Sequence, residues 1–163
     1  MFLLIIPIFF IPTAKYGTNL LYGEGLKMAF ALFLLLCVSL CFTLGIAAFT
    51  KLFFYKERPI PMPTDTLWKK LNAGTFPSMH TIVATVIAMV VFRGTVELGF
   101  PQHVFLIYMI VVVAIALSRI ALKKHYPTDV FFGVIYGVVG TFISIYGGMV
   151  VLAIALRFLY LYM

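Results

Sequence analysis

Residues 103–139 read HVFLIYMIVVVAIALSRIALKKHYPTDVFFGVIYGVV, an apolar run that a short polar segment interrupts once before it resumes. A helix that crosses the hydrocarbon core of a bilayer needs about 20 mostly apolar residues. Residues 103–122 supply one such stretch, and residues 130–163 supply a second. Two membrane-spanning helices joined by a short polar connection are therefore predicted here.

Two stretches upstream, residues 26–54 and 78–98, meet the same requirement. The sequence is 64% hydrophobic and only 10% charged, so a soluble domain would lack the polar surface to cover itself. We therefore expect an all-α, polytopic transmembrane helical bundle of four spans, forming a single integral membrane domain over residues 1–163. Residues 1–14 add a short hydrophobic segment that either spans in a kinked form or lies in the interface.

Helices joined by short connections alternate in direction across the membrane, and this alternation decides where the polar residues go. If residues 26–54 run toward one face, residues 51–80 and 118–129 both lie at that face, although they are far apart in sequence. The opposite face receives only the link around residues 94–102. Most charged residues of the four spans thus meet on one side of the membrane.

The formal net charge of +7 indicates an anionic partner. Lys and Arg form no run longer than two and alternate with apolar spans, which argues against nucleic acid and favours anionic lipid. Five lysines beside the spans are interpreted as interfacial residues that contact lipid headgroups: Lys56, Lys69, Lys70, Lys123 and Lys124.

Three short motifs lie at the charged face. Lys51 and Arg58 are seven residues apart, close to two helical turns, so a continuing helix would present both cations on one face. The second motif, PSMH at residues 77–80, opens a membrane helix, where free backbone N–H groups attract an anion such as phosphate. The third motif is SRIALKKHYPTD at residues 118–129.

These motifs predict phosphate chemistry. The anionic oxygens of a phosphate ester suit a site that contains Lys51, Arg58 and Arg119. Two histidines in that site indicate a reaction, because one imidazole can attack phosphorus while the other protonates the leaving oxygen. Asp129 is placed to accept a hydrogen bond from one ring nitrogen of His125, which leaves the other nitrogen free as nucleophile. His103, outside these motifs, is interpreted as a solvated or capping residue.

The three motifs resemble the signature of the type 2 phosphatidic acid phosphatase family, Lys-x6-Arg-Pro, Pro-Ser-Gly-His and Ser-Arg-x5-His-x3-Asp. The first and third parts match at every named position, and the second departs only in having Met79 where the family has glycine. The matched region runs from Lys51 to Asp129, about half of the chain, with order and spacings intact.

The resemblance implies metal-independent hydrolysis of a phosphate ester, without a cofactor, through a phosphohistidine intermediate. It implies that His125 is the nucleophile, Asp129 its partner and His80 the acid for the leaving group. It also implies a set of phosphate ligands: Lys51, Arg58, Ser78 and Arg119. Met79 keeps the backbone N–H that the family glycine presents to phosphate, but it places a bulky apolar side chain beside the site.

The substrate expected from the resemblance is a membrane lipid with a phosphorylated headgroup. Family members act on phosphatidic acid, phosphatidylglycerophosphate, undecaprenyl pyrophosphate and the phosphates of lipid A, and we favour lipid A because a wide cationic loop suits a large headgroup. Two other hypotheses remain open. One is a phosphotransferase, in which a second lipid hydroxyl replaces water, and the other is a non-enzymatic protein that binds or transports anionic lipids.

Oligomeric state and orientation are less strongly indicated. Gly133, Gly137 and Gly140 fall near one helical face, which favours close helix packing within the chain, with a seam between two copies as the alternative. The excess of cations would place the charged face in the cytoplasm. Bacterial relatives, however, usually place this site on the periplasmic side. We expect a protein of the bacterial inner membrane whose site faces the periplasm.

Overall fold

The computed structural model describes residues 24–60, 65–97 and 101–162. Its elements are five helices: α1 (Glu24–Phe53), α2 (Leu67–Ala73), α3 (Met79–Glu97), α4 (Gln102–Ala121) and α5 (Pro127–Tyr162). The described residues contain no β-strand, so the predicted all-α class is confirmed. The predicted N-terminal hydrophobic segment, residues 1–14, lies outside the described residues.

Four of these helices are long and apolar enough to cross a membrane, as the sequence predicts. The apolar spans are Ala29–Phe53, Met79–Val96, Gln102–Ala121 and Pro127–Gly147. The last helix, α5, continues without a break through Gly147 and Gly148 to Tyr162. With 36 residues, α5 is longer than the roughly 20 residues that a bilayer crossing needs.

Helix α3 is the centre of the bundle and packs against α1, α4 and α5. Within its apolar span 61% of the residues are buried, whereas only 11% are buried in the span of α4. The fully buried side chains of α3 are mainly β-branched, which pack with little loss of rotamer freedom: Ile82, Val86, Ile87, Val90 and Val91.

The outer surface of the bundle is strongly apolar. Large hydrophobic side chains are exposed on α1, α4 and α5, among them Phe49, Leu106, Ile110, Leu117 and Phe131. A continuous apolar surface of this kind is not stable in water, whereas lipid tails solvate it without cost. The exposed surface therefore agrees with a membrane environment for these four helices.

Glycines let α5 approach its two neighbours closely. A Cβ atom added to Gly137 would lie 2.5 Å from Cβ of Thr85 on α3, and one added to Gly133 would lie 3.0 Å from the carbonyl oxygen of Ser78. At Gly140 the added atom would collide with the Thr43 side chain of α1. The glycine face thus packs against other helices of the same chain, which is the interpretation that the sequence favours over a seam between two copies.

Candidate active site

The predicted site residues lie near one end of all four spans. Lys51 comes shortly before the end of the α1 span, His80 shortly after the start of the α3 span, Arg119 just before the end of the α4 span, and Asp129 just after the start of the α5 span. Antiparallel neighbours bring these ends to the same side of the bundle. The predicted meeting of residues 51–80 with residues 118–129 is therefore realised in the structure.

The connection between α4 and α5 is a tight turn that returns the chain over the end of α4. Lys123 adopts a left-handed conformation with φ of 52°, which only a small fraction of non-glycine residues adopt. Its N–H donates to the carbonyl of Ile120 at 2.9 Å, and the N–H of Lys124 donates to the carbonyl of Arg119 at 3.1 Å, the two bonds of a Schellman motif. The N–H of His125 also donates to the Arg119 carbonyl, at 3.2 Å, so the turn holds His125 directly beside Arg119.

Lys51 and Arg58 do not share a helix face, because α1 ends at Phe53. The chain after α1 is non-helical, and both cations instead reach the carboxyl end of α2. Nζ of Lys51 donates to the carbonyl of Gly74 at 2.7 Å, and Nε of Arg58 donates to the carbonyl of Ala73 at 3.1 Å. The guanidinium of Arg58 also donates to the carbonyl of Asn72. The two cations converge, but through this segment rather than through helical periodicity.

Sequence reasoning missed helix α2, although its start has a local signal. The hydroxyl of Thr66 accepts the N–H of Lys69 at 3.2 Å, as a helix N-cap does, and Lys69 forms an exposed ion pair with Asp65 four residues earlier, with Nζ 2.6 Å from the carboxylate. The free carbonyls at the end of α2 attract cations, in accord with the helix dipole. This short helix thereby supplies the acceptors for Lys51 and Arg58.

His125 is buried, with 5% of its surface exposed, and its ring has a defined partner. Nδ1 lies 2.9 Å from the carbonyl oxygen of Thr75. Because a carbonyl oxygen can only accept, Nδ1 carries the hydrogen, and Nε2 keeps a free lone pair. Burial, followed by the charges of Lys51 and Arg58, lowers the pKa of His125 to about 4. The imidazole is therefore neutral near neutral pH.

The predicted hydrogen bond from His125 to Asp129 is replaced by other bonds. Asp129 is fully buried, and its Oδ1 lies 2.6 Å from Nζ of Lys56, while its Oδ2 accepts the N–H of Tyr126 at 3.0 Å. The Thr75 carbonyl takes the place at His125 that sequence reasoning gave to the carboxylate. The sequence predicts only a headgroup-contacting interfacial role for Lys56, and its position inside the Lys-x6-Arg motif does not indicate this ion pair.

Ser78 and Met79 lie at the start of α3. Ser78 is fully buried, its N–H donates to the backbone carbonyl of Asp129 at 3.0 Å, and its hydroxyl accepts from the hydroxyl of Thr81 at 3.0 Å. Its backbone therefore ties the start of α3 to the start of α5. The side chain of Met79 is partly buried and lines the same cavity as His80 and His125.

Arg119 contributes a buried donor that has no acceptor within the protein. Its Nε is buried and makes no hydrogen bond, although a buried guanidinium N–H normally has a partner. Arg119 also lies close enough to Arg58 to influence its pKa. Burial is the larger cause that lowers the pKa of Arg58, and the positive charge of Arg119 is the second. Two mutually repelling guanidinium groups with an unused donor are suited to an anion that would bridge them.

Five of the predicted site residues, together with Ala48 and Asn72, line a cavity of about 180 Å³: Lys51, Arg58, Met79, His80 and His125. Ser78, Arg119 and Asp129 are not part of this lining. His125 lies at the buried wall, whereas His80 is exposed. A second cavity of about 240 Å³ lies between α1 and α5 and is almost wholly apolar. Among the described residues, the smaller cavity thus combines both motif histidines with two cations.

Four helices long and apolar enough to span a membrane, with a cavity lined by two cations and two histidines at one end, define a polytopic membrane protein. The family model of the PAP2 superfamily matches residues 28–156, a region that includes all three motifs. The chain therefore belongs to the PAP2 superfamily.

Membership of the PAP2 superfamily supports a lipid phosphatase, and the fold has a solved relative. The crystal structure of Aquifex aeolicus LpxE superposes with a TM-score of 0.55 at 22% sequence identity, over 88% of this chain and 84% of that chain. At this identity the likeness shows the fold alone. Comparison with curated proteins finds no match.

Proposed function

We propose that this chain hydrolyses a phosphate ester or pyrophosphate of a lipid headgroup through a phosphohistidine formed on His125. The observation that carries the proposal is the cavity in which His80 and His125 share a wall with Lys51 and Arg58. Cations, rather than a group of carboxylates, surround the space where phosphorus would lie. In the proposal the protein's own cations neutralise the phosphate, without a metal ion or cofactor. The groups that bind the phosphate are Lys51, Arg58, Ser78, the backbone N–H of Met79, and Arg119.

The reaction proceeds in two displacements. Nε2 of His125 attacks phosphorus, the bond from phosphorus to the lipid oxygen breaks, and that oxygen takes a proton from His80. Water then attacks the phosphohistidine, His80 accepts a proton from it, and the phosphorus–nitrogen bond breaks. Inorganic phosphate and the dephosphorylated lipid leave, and both histidines return to their starting protonation.

One hydrogen bond and a lowered pKa support His125 as the nucleophile. The Thr75 carbonyl fixes Nδ1 as the protonated nitrogen, which leaves Nε2 as the only nitrogen able to attack. The depressed pKa keeps the ring unprotonated, and a protonated ring would have no lone pair to offer. The carboxylate of Asp129 is paired with Lys56, so in this proposal Asp129 influences His125 through its charge rather than through a hydrogen bond to the ring.

The first test compares two histidine variants in phosphate release from lipid. His125→Ala removes the attacking nitrogen, so we expect hydrolysis to fall to the uncatalysed rate, a loss of several orders of magnitude. His103→Ala is the matched control, because His103 is exposed near the start of α4, at the opposite end of that helix from Arg119. Turnover by His125→Ala near the parent rate would remove His125 from its proposed role.

The substrate that we propose is lipid A, dephosphorylated at its 1-phosphate. Support comes from the exposed position of His80 and the charged groups at the end of the spans, which suit a large headgroup presented at the bilayer surface. Purified protein is given lipid A, phosphatidylglycerophosphate, undecaprenyl pyrophosphate or phosphatidic acid in separate assays, and released phosphate is measured. The proposal expects the highest kcat/KM with lipid A, and a preference for another lipid of the panel would replace it.

The same assays separate the alternative functions. With radiolabelled substrate, a phosphotransferase places the label on a second lipid, whereas a hydrolase releases it as inorganic phosphate. A non-enzymatic binder or transporter retains substrate without turnover and is not trapped by vanadate, which mimics phosphoryl transfer. His80 and His125 favour the hydrolase over the binder, because gripping an anion requires only the cations.

We also propose that the chain lies in the bacterial inner membrane with its cavity facing the periplasm. The lipid tails would remain in the bilayer beside the apolar outer surface, while the headgroup phosphate reaches the ends of the spans. A headgroup at this level need not leave the membrane to meet His80.

A further inference from the structure

Four consecutive backbone carbonyls, residues 72–75, accept hydrogen bonds from three side chains of the site. Arg58 donates to the carbonyls of Asn72 and Ala73, Lys51 donates to that of Gly74, and Nδ1 of His125 meets that of Thr75. The three donors come from separate parts of the chain. The orientation of all three is therefore set by one short stretch of backbone.

This backbone stretch is itself fixed by Lys56. The N–H of Thr75 donates to the carbonyl of Lys56 at 2.9 Å, and the hydroxyl of Thr75 donates to the same oxygen at 3.2 Å. Thr75 is fully buried, so water does not compete for these bonds. The carbonyl that meets His125 thus belongs to a residue that the main chain of Lys56 holds from the other side.

The side chain of Lys56 reaches the other half of the site. Its Nζ lies 2.6 Å from Oδ1 of Asp129, 3.1 Å from the hydroxyl of Thr128 and 4.3 Å from the centre of the Tyr126 ring. These three partners, Tyr126, Thr128 and Asp129, all lie within four residues after His125. Lys56 is therefore connected to His125 twice, once through Thr75 and once through the segment that contains Asp129.

We propose that Lys56 is a positioning residue for phosphoryl transfer: its ammonium neutralises Asp129 and anchors the His125 segment, while its backbone carbonyl fixes the Thr75 carbonyl that orients the imidazole. This proposal rests on the proposed function, because it assigns Lys56 a part in the chemistry of His125. Lys56 does not line the cavity, and Nδ1 of His125 pairs with Thr75 rather than with Lys56, so Lys56 is proposed to act through these neighbours.

The charges around His125 give the ammonium of Lys56 a measurable effect. Lys51 from α1 and Arg58 from the segment after it disfavour the imidazolium, Asp129 from α5 favours it, and His80 from α3 lines the same cavity. Lys56 cancels much of the field of Asp129, which is buried and 2.6 Å away. Without the ammonium the carboxylate would stabilise the imidazolium, so His125 would take up a proton at a higher pH.

The experiment replaces the ammonium while keeping the backbone carbonyl. Lys56→Met, Lys56→Arg and the parent are assayed for phosphate release from lipid A in detergent micelles, or from the panel lipid that the parent hydrolyses fastest, across the acidic and neutral range. Lys69→Met is the matched control, because Lys69 forms an equally short ion pair with Asp65 outside the cavity.

For Lys56→Met we expect kcat to fall by about tenfold or more with KM changed less than about twofold, because misplacement of a reacting group slows the chemical step. We also expect the acidic limb of kcat/KM to move to higher pH. Lys56→Arg should return the limb to its parent position, and Lys69→Met should leave both the rate and the limb unchanged.

A double variant tests whether Lys56 acts through Asp129. Asp129→Asn removes the charge that Lys56 neutralises, so adding Lys56→Met to it should cost much less than Lys56→Met costs in the parent. The double variant also contains no unpaired buried carboxylate, which keeps the comparison usable if Lys56→Met alone folds poorly.

The outcomes distinguish this inference from the proposed function. Parent-like turnover by His125→Ala in the same assay would overturn the proposed function. An inactive His125→Ala beside a parent-like Lys56→Met would overturn the role of Lys56 alone. A rate loss that leaves the acidic limb in place and is not restored by Lys56→Arg would also overturn it, because that pattern belongs to general loosening of the fold.

Discussion

His125 has one ring nitrogen committed to the protein and the other available to a substrate. The Thr75 carbonyl takes Nδ1, and the surrounding cations and burial keep the ring neutral. The hydrogen bond to the Thr75 carbonyl by itself raises the pKa of His125, but burial and the charges of Lys51 and Arg58 outweigh it. A neutral ring with a free Nε2 is the form that the proposed nucleophilic attack requires.

The ring state of His125 can be observed directly. The folded-state pKa of about 4 lies below the ordinary value of 6.5, so the neutral ring should persist as pH falls until the pH approaches that lower value. In ¹⁵N NMR of histidine-labelled protein in micelles, we expect a neutral ring with hydrogen on Nδ1 at pH 6.5. His125→Gln assigns the signal, which is feasible because the chain has three histidines. An imidazolium signal for His125 at that pH would contradict the expectation.

At this scale the sequence identifies which residues meet but not how they are bonded. The motif spacings predict that His125, His80 and the cations lie together, since each stands beside the end of a span. They give no information about the backbone carbonyl of Thr75, because a carbonyl is present at every residue. The pairing of Lys56 with Asp129 likewise depends on where the non-helical segment after α1 folds back.

Among the helices, α5 depends on glycine for its contact with α3. Gly137 lies so close to Thr85 that any side chain would require one helix to move. Gly45 on α1, by contrast, has nothing within 4 Å of an added Cβ. The two positions are chemically identical and differ only in what faces them.

We expect Gly137→Ala to lower the free energy of unfolding by about 1–3 kcal/mol, the usual cost of overpacking a tight contact. Gly45→Ala should instead be neutral or stabilising by up to about 1 kcal/mol, because alanine favours the helix over glycine. Thermal unfolding in detergent measures both. Equal stability of the two variants would show that the close contact between α3 and α5 does not limit stability.

The helices divide into those that hydropathy can predict and one that it cannot. The four long helices follow from apolar runs of sufficient length, and their observed ends lie within a few residues of the predicted ones. Helix α2 has only seven residues and no long apolar run, so only the Thr66 cap and the pairing of Asp65 with Lys69 indicate it. Its importance lies in the carbonyls at its end, which no periodicity reveals.

On the scale of the whole molecule, the polar end of the bundle is the end with the cavity. Ile60 is exposed beyond α1 at that end, and Gln102 is exposed at the start of α4, at the other end. These two positions can therefore report which way the bundle is inserted.

Orientation is tested with single cysteines in a chain whose two cysteines, Cys37 and Cys41, are replaced by alanine. If the cavity faces the periplasm, a thiol reagent that cannot cross the membrane should label Ile60→Cys in intact spheroplasts and should label Gln102→Cys only after lysis. The reverse pattern would place the cavity in the cytoplasm, as the positive-inside rule alone predicts.

The Schellman turn after α4 fixes the distance between Arg119 and His125 by local main-chain bonds. Two main-chain bonds to the Arg119 carbonyl, from Lys124 and His125, hold the two residues in register without help from the rest of the bundle. When a bilayer of different thickness changes the tilt of α4, both residues travel as one rigid piece. The phosphate contact proposed for Arg119 and the attacking nitrogen proposed for His125 should therefore keep their spacing in membranes of different composition.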